Sequence, residues 1–241
     1  MTAAGPIRPR ARCGAALRVG FGLIALGATG VLAHTISGGD ATFVQGVSGP
    51  SPGPFFYLGA KHMFTGYDHL LFLVGVVFFL HRLRDVVLYV SLFTVGHSLT
   101  LIGGVLGGLR IDPFLIDAVI GLSVVYKALE NMGGFQALFG TSPDTRLAVF
   151  VFGLFHGLGL ATRLQAMVPA GDGLLTNLLS FNVGIEAGQV LALLFVVALL
   201  LRWRASPRFL RQAFAANAVL MFGGFLLAGH QLAGFVLGEP Q

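Results

Sequence analysis

Lys61-His62-Met63-Phe64-Thr65-Gly66-Tyr67-Asp68-His69-Leu70-Leu71-Phe72-Leu73 places two imidazoles and a carboxylate inside a run, Phe55 to Leu80, that is otherwise almost wholly apolar. As a helix rising about 1.5 Å per residue, such a run is long enough to span a bilayer. Ionisable groups at bilayer depth are costly, so those that occur usually face a cavity, a partner or an ion. On a helix His62 and His69 are seven residues apart and share one face, and Asp68 sits roughly 100° round from His69. Two nitrogen donors and a carboxylate within two turns supply part of a coordination sphere for a borderline divalent ion. A hydrogen-bond network that merely locks helices together is the alternative reading of the same residues.

The rest of the chain puts that stretch in a membrane. Of 241 residues, 55% are hydrophobic and only 10% are charged, against about 25% charged in soluble domains. The mean hydropathy is +0.84, which is that of an integral membrane protein whose solvent is the lipid bilayer. The net charge of +5 would suggest nucleic acid until the arginines are located. Arg8, Arg10, Arg12 and Arg18 precede the first apolar run, and Arg202, Arg204, Arg208 and Arg211 lie between two later ones. That is the positive-inside pattern, and it implies no nucleic-acid partner. Cys13 is the only cysteine, so neither a disulfide framework nor a thiolate site is available, and any metal must be held by nitrogen and oxygen.

Taken in order, residues 1–33 read as a signal peptide, with a basic start, an apolar stretch from Val19 to Leu32, and Val31 and Ala33 at the −3 and −1 places of a cleavage site. An uncleaved anchor helix is the alternative; cleavage would make His34 the new amino terminus. Residues 34–54, rich in Gly, Ser and Pro with Asp40 the only charge, read as an outer linker. Residues 55–241 then form an all-α domain, a polytopic bundle of six transmembrane helices at roughly 55–80, 86–108, 113–133, 146–167, 174–201 and 213–237. Arg82, Arg84, Arg146 and the four-arginine loop fall on one side if six helices alternate. That side is predicted to be the cytoplasm, which leaves both mature termini outside. Glycine accounts for 35 residues. Gly153/Gly157 and Gly184/Gly188 stand four apart, and Gly103, Gly104, Gly107 and Gly108 cluster at one helix end, spacings that let helix backbones approach closely in lipid.

Close helices bring their polar residues together. Thr94, His97 and Ser98 lie near the middle of the second segment. Ser123 and Glu130 share a face of the third, with Lys127 one turn away and Asn131 adjacent. His156 is mid-span in the fourth, and Asn182, Glu186 and Gln189 form one stripe of the fifth. His62 and His230 lie nearer the outside. Donors from several helices at one depth predict a polar site within the bundle, with His62, Asp68, His69, His97, His156 and Glu186 as metal ligands. Asn182, Gln189, Glu130 and His230 are the candidate pathway residues. An ion pair of Lys127 with Glu130 that only neutralises a carboxylate is an equal alternative there. Asp85, Asp112, Asp117, Asp144 and Asp172, at or near helix ends, read as caps or loop charges.

These residues, in this order, resemble the HupE/UreJ family of bacterial membrane proteins over about Phe55 to Leu200. The resemblance rests on His62-x5-Asp68-His69 followed by Leu-Leu-Phe-Leu, and on Phe93-Thr94-Val95-Gly96-His97-Ser98-Leu99-Thr100-Leu101. It continues with Leu129-Glu130-Asn131, Phe155-His156-Gly157-Leu158-Gly159, and Phe181-Asn182-Val183-Gly184-Ile185-Glu186-Ala187-Gly188-Gln189. It implies a signal peptide, six helices in the inner membrane and a role in metal supply, chiefly nickel for hydrogenase or urease. By analogy His62, Asp68 and His69 are the first candidates for metal handling, with His156 next. One departure is Arg163, which stands where the hydrogenase-associated branch leads from Phe-His-Gly to an acidic residue. The identity of the metal is therefore open beyond nickel.

Three functions compete. The first is a permease carrying a divalent transition metal ion inward as substrate, Ni²⁺ ahead of Co²⁺ or Zn²⁺. The ion would enter past His62 and leave past Glu130; no nucleotide-binding motif accompanies the helices. The second is a membrane-embedded zinc-dependent hydrolase, with Asp68 or Glu186 as general base and Ser98 assisting. The third is a non-catalytic subunit, binding metal or none, that scaffolds a larger membrane complex; the partners expected are the lipid bilayer, the metal ion, and a membrane partner or homo-oligomer.

Overall fold

The computed structural model describes residues 44, 46, 47, 49–167 and 171–238. The signal or anchor segment predicted over 1–33, His34 and most of the outer linker lie outside the described residues. The described residues carry eight helices and no strand. They are α1 (Pro52–Thr65), α2 (Tyr67–Val77), α3 (Leu83–Leu106), α4 (Pro113–Asn131), α5 (Gly134–Phe139), α6 (Thr145–Met167), α7 (Leu174–Arg204) and α8 (Phe209–Leu237). The all-α class expected from the sequence is what is found. Segments two to six begin and end within a few residues of expectation, and α5 is a short addition.

Four helices, α3, α6 (to Gln165), α7 and α8, are long and apolar enough to cross a membrane. Helix α4 has 19 residues but carries Asp117, Lys127 and Glu130. The first segment differs from expectation, because it is two helices of 14 and 11 residues broken at Gly66. Gly66 ends α1 by donating its backbone N–H to the carbonyl of His62 at 2.8 Å. A β-carbon here would lie 2.9 Å from His69 Nδ1 and 3.1 Å from the His62 carbonyl oxygen, so only glycine leaves room for the ring that follows the break.

Capping shows why the other helices start where they do. Asp112 Oδ1 accepts from the Phe114 N–H at 2.9 Å, with Pro113 opening α4. Asp144 Oδ1 accepts from the Arg146 N–H at 2.8 Å at the head of α6, so both residues are the caps expected of them. Asp117 is not. It is buried within α4 and paired with Arg163 of α6, because its position four residues past the start turns it inward. Arg204, at the end of α7, donates to the carbonyls of Leu80 (2.7 Å), Phe78 (2.6 Å) and Val77. It thereby satisfies acceptors that the end of the short α2 leaves open.

The helices assemble as three close pairs, α1–α7, α3–α6 and α4–α8, with α2 among them. Each pair meets at glycine. A β-carbon at Gly59 would strike the Phe181 carbonyl, one at Gly184 the Phe56 carbonyl, one at Gly157 the His97 carbonyl, and one at Gly121 the Ala228 backbone. The Gly153/Gly157 and Gly184/Gly188 pairs thus do what their spacing predicts.

The same contacts fix chain direction. Phe56 and Ala60 meet Gly184 and Gly188 in that order, so α1 and α7 run parallel; Phe93 and His97 meet Gly153 and Gly157, so α3 and α6 do too. Thr94 and Ser98 bond Gln189 and Asn182, which sets α3 against α7. Asp117, Ser123 and Glu130 meet Arg163, His156 and Thr145, which sets α4 against α6. Asp68 and His69 lie with His156 while Gly75 lies on Lys127 and Asn131, so α2 runs with α4. Helices α1, α2, α4 and α7 therefore point one way, and α3 and α6 the other. Gly121 and Gly224 place α8 against α4 as well.

Candidate metal centre

The break at Gly66 decides the site. On one continuous helix His62 and His69 would sit two turns apart. Instead α1 ends three residues after His62 and α2 restarts past Gly66, and the two rings come to 5.1 Å between centroids. His69 is the hub. Its ring centroid lies 4.7 Å from His156 on α6 and 5.8 Å from His97 on α3. Gly157, beside His156, permits this approach because its missing side chain lets α6 rest on the His97 carbonyl.

Asp68, His69 and His156 are all buried, and each offers a ligand atom within 4.8 Å of the others. Donors around one ion with bonds of about 2.1 Å stand roughly 3–4 Å apart, so a modest contraction closes the set on a metal. The Asp68 Oδ1 to His69 Nδ1 distance is 2.9 Å. An ionised carboxylate only accepts, so this contact holds the His69 proton on Nδ1 and leaves the Nε2 lone pair available. Among the described residues that Nε2 has no hydrogen-bond partner, nor does either nitrogen of His97, which is 1% exposed. Burying such groups unmatched costs about 1–3 kcal/mol each. A Lewis acid would recover that cost.

The surroundings are apolar and aromatic. Phe93 lies 5.0 Å from the His156 ring and Phe72 5.4 Å from it, while Phe181 stands 6.3 Å from His62. These rings exclude water and strengthen any charge interaction in the cluster. Ser123 Oγ is 3.3 Å from His156 Nε2 and 2.6 Å from the Ile120 carbonyl. Ser123 was not among the candidate ligands; its only sequence signal is its spacing of seven from Glu130.

Of the six candidate ligands, His62, Asp68, His69, His97 and His156 are brought together and Glu186 is not. Glu186 is exposed on α7. Its stripe mates face α3, where Gln189 Oε1 accepts from Thr94 at 3.1 Å and Asn182 Oδ1 from Ser98 at 3.0 Å. Glu186 lies about 40° from Asn182 on the side away from Gln189, which turns it outward. His230 is likewise exposed, on α8. Glu130 is bound by Lys127 Nζ at 2.8 Å and by the Thr145 hydroxyl, so the expected ion pair is present.

The family profile described as HupE / UreJ protein matches residues 39–239. The chain belongs to the HupE/UreJ family. No curated protein and no solved structure gives a match. The match reaches past both ends of the stretch Phe55 to Leu200 that carries the motifs, and takes in α8. Every residue of the imidazole cluster of this HupE/UreJ protein falls inside it.

Proposed function

We propose that this HupE/UreJ protein is a permease for a divalent transition metal ion, Ni²⁺ first and Co²⁺ or Zn²⁺ next, in the bacterial inner membrane. The observation that carries the reading is the meeting of Asp68, His69 and His156 within ligand distance of one another. The His62 and His97 rings stand beside them, and His69 Nε2 and both His97 nitrogens are buried without a hydrogen-bond partner among the described residues. The family's link to metal transport agrees with it. Neutral imidazoles and a carboxylate suit borderline ions, whereas harder ions prefer oxygen alone.

The membrane topology belongs to the same proposal. Helices α1 and α2 point the same way, so together they make one crossing of 14 plus 11 residues, and α4 makes another. With the four long helices this gives six crossings, both mature termini outside and the arginine-bearing loops inside. The alternating directions of the helices support that count.

A zinc hydrolase is less well supported. Glu186, one of its two candidate bases, is turned outward, and the Ser98 hydroxyl is committed to Asn182. Metal accumulation in cells producing the protein or its Asp68→Asn form is the direct test. The expected result is Ni²⁺ uptake above background that the substitution reduces by about tenfold or more, the usual cost of losing a carboxylate that orients a ligating histidine. Undiminished accumulation at equal expression would remove the permease reading.

A further inference from the structure

Beyond the imidazole cluster, α4 carries a second charged group of unusual burial. Lys127 is 6% exposed, and its ammonium is held at 2.8 Å by Glu130, three residues on in the same helix. A buried pair of this kind is expensive to desolvate. Because both partners belong to α4, it ties no two helices together; Glu130 is joined to α6 by Thr145 instead. The pair therefore lacks the usual structural reason for its cost.

Its position suggests another. Ser123, Lys127 and Glu130 lie within about 60° of one another on α4. Ser123 touches His156, and Glu130 lies seven residues, about 10 Å, farther along the axis. On the facing helix Gly75 is seven residues beyond Asp68 and so on the same side of α2. Its missing side chain makes room for the Lys127 stem, whose Cγ would be 3.1 Å from a β-carbon there. Asn131 Nδ2 bonds the Gly75 carbonyl at 2.8 Å and Asn217 Oδ1 at 2.9 Å beside it. The Glu130 side chain is the more open of the pair, 14% exposed against 8% for Lys127. Polar groups thus continue from the imidazoles along one α2–α4 face and end on a carboxylate already occupied by a cation.

We propose that Lys127 is a tethered counter-cation that occupies Glu130 beyond the imidazole cluster and is displaced by the travelling metal ion, making the Lys127–Glu130 pair the inner gate. The proposal rests on the permease reading. While the ammonium holds Glu130, a dication leaving the histidines meets no free carboxylate, and the passage is closed to it. When Lys127 swings away, Glu130 accepts the metal and passes it on. The closed state thus needs no bulky plug.

The test uses the purified full chain in detergent, with Ni²⁺ alone as the probe, read by calorimetric titration and by the rate of release to a chelator. Lys127→Met keeps the stem and removes the charge, leaving Glu130 bare about 10 Å from the site. One net negative charge at that distance tightens the binding of a dication at least about fourfold, the value at a permittivity near that of water, and release no longer waits for Lys127 to move. Lys127→Arg should bind like the unaltered protein, and Glu130→Gln should not tighten. The Lys127→Met/Glu130→Gln double variant should return to within about twofold of the original affinity, since no net charge is left behind. Unchanged affinity and release in Lys127→Met would overturn the gate. So would equal weakening by Lys127→Met and Glu130→Gln, the mark of a pair that only props the helix. Should Lys127→Met not yield folded protein, Lys127→Gln carries the same expectation. Failure of the unaltered protein to bind Ni²⁺, Co²⁺ or Zn²⁺ would instead sink the permease reading, and the gate with it.

Discussion

At the scale of single residues the decisive contact is Asp68 Oδ1 with His69 Nδ1. It fixes one proton, and so leaves His69 Nε2 as a lone pair beside His156 and His97. Metal and proton compete for that lone pair, because imidazolium cannot coordinate. The sign follows directly: lowering the pH favours the proton over the metal at each engaged ring, and affinity drops. One proton is displaced per ligating imidazole, so the slope counts them. With His69 and His156 both engaged, the logarithm of Ni²⁺ affinity should fall with decreasing pH by at most about two per pH unit. His156→Asn should roughly halve that slope. Competition titrations at decreasing pH measure it, and an unchanged slope in His156→Asn would show that the His156 ring does not hold the ion.

Individual helices are where the sequence was most and least legible. Capping aspartates, the long apolar runs and the glycine spacings marked α3, α4, α6, α7 and α8 to within a few residues, because each signal is local. The break at Gly66 was not legible. Its φ of −78° is open to any residue, and what demands glycine is the His69 ring, a contact that one glycine among 35 does not announce. Glu186 failed for a related reason: its stripe was correctly phased, yet only the placement of α3 decides which edge of the stripe is covered. Asp117 looked like a cap until Arg163, 46 residues away, turned out to be its partner. The glycine contacts, by contrast, make a sharp prediction at this scale. A β-carbon at Gly157 would land on the His97 carbonyl and 2.8 Å from its carbon. Gly157→Ala should therefore force α3 from α6, lower the melting temperature at a cost of about 1–3 kcal/mol, and weaken Ni²⁺ binding by separating His97 from His156. Gly103→Ala, on α3 with open space around it, should leave both unchanged. Thermal unfolding and calorimetric titration of the two variants side by side separate close approach from mere glycine content.

The whole molecule adds what no helix shows alone: α1 and α2 point the same way although a break divides them. A re-entrant hairpin would reverse direction at Gly66 and leave the arginine-bearing loops on different sides. A broken but continuous crossing would keep Arg82, Arg84, Arg146 and the Arg202–Arg211 loop together on one side, which the proposal makes the cytoplasmic one. The interruption then sits within the membrane, where non-helical backbone is tolerated only if protein surrounds it, and Gly66 is buried among the imidazoles. The two arrangements differ in where loop residues react. In a Cys13→Ala background, cysteines placed at Asp172, Ser142 and Ser206, all in loops, report their side through a membrane-impermeant maleimide. Asp172→Cys should label in intact cells, while Ser142→Cys and Ser206→Cys should label only after permeabilisation. Labelling of Ser206→Cys from outside would reverse the predicted orientation. Labelling of Asp172→Cys and Ser142→Cys from the same side would mean that α6 does not cross, and that the imidazole of His156 reaches the cluster from a helix lying outside the bilayer's core.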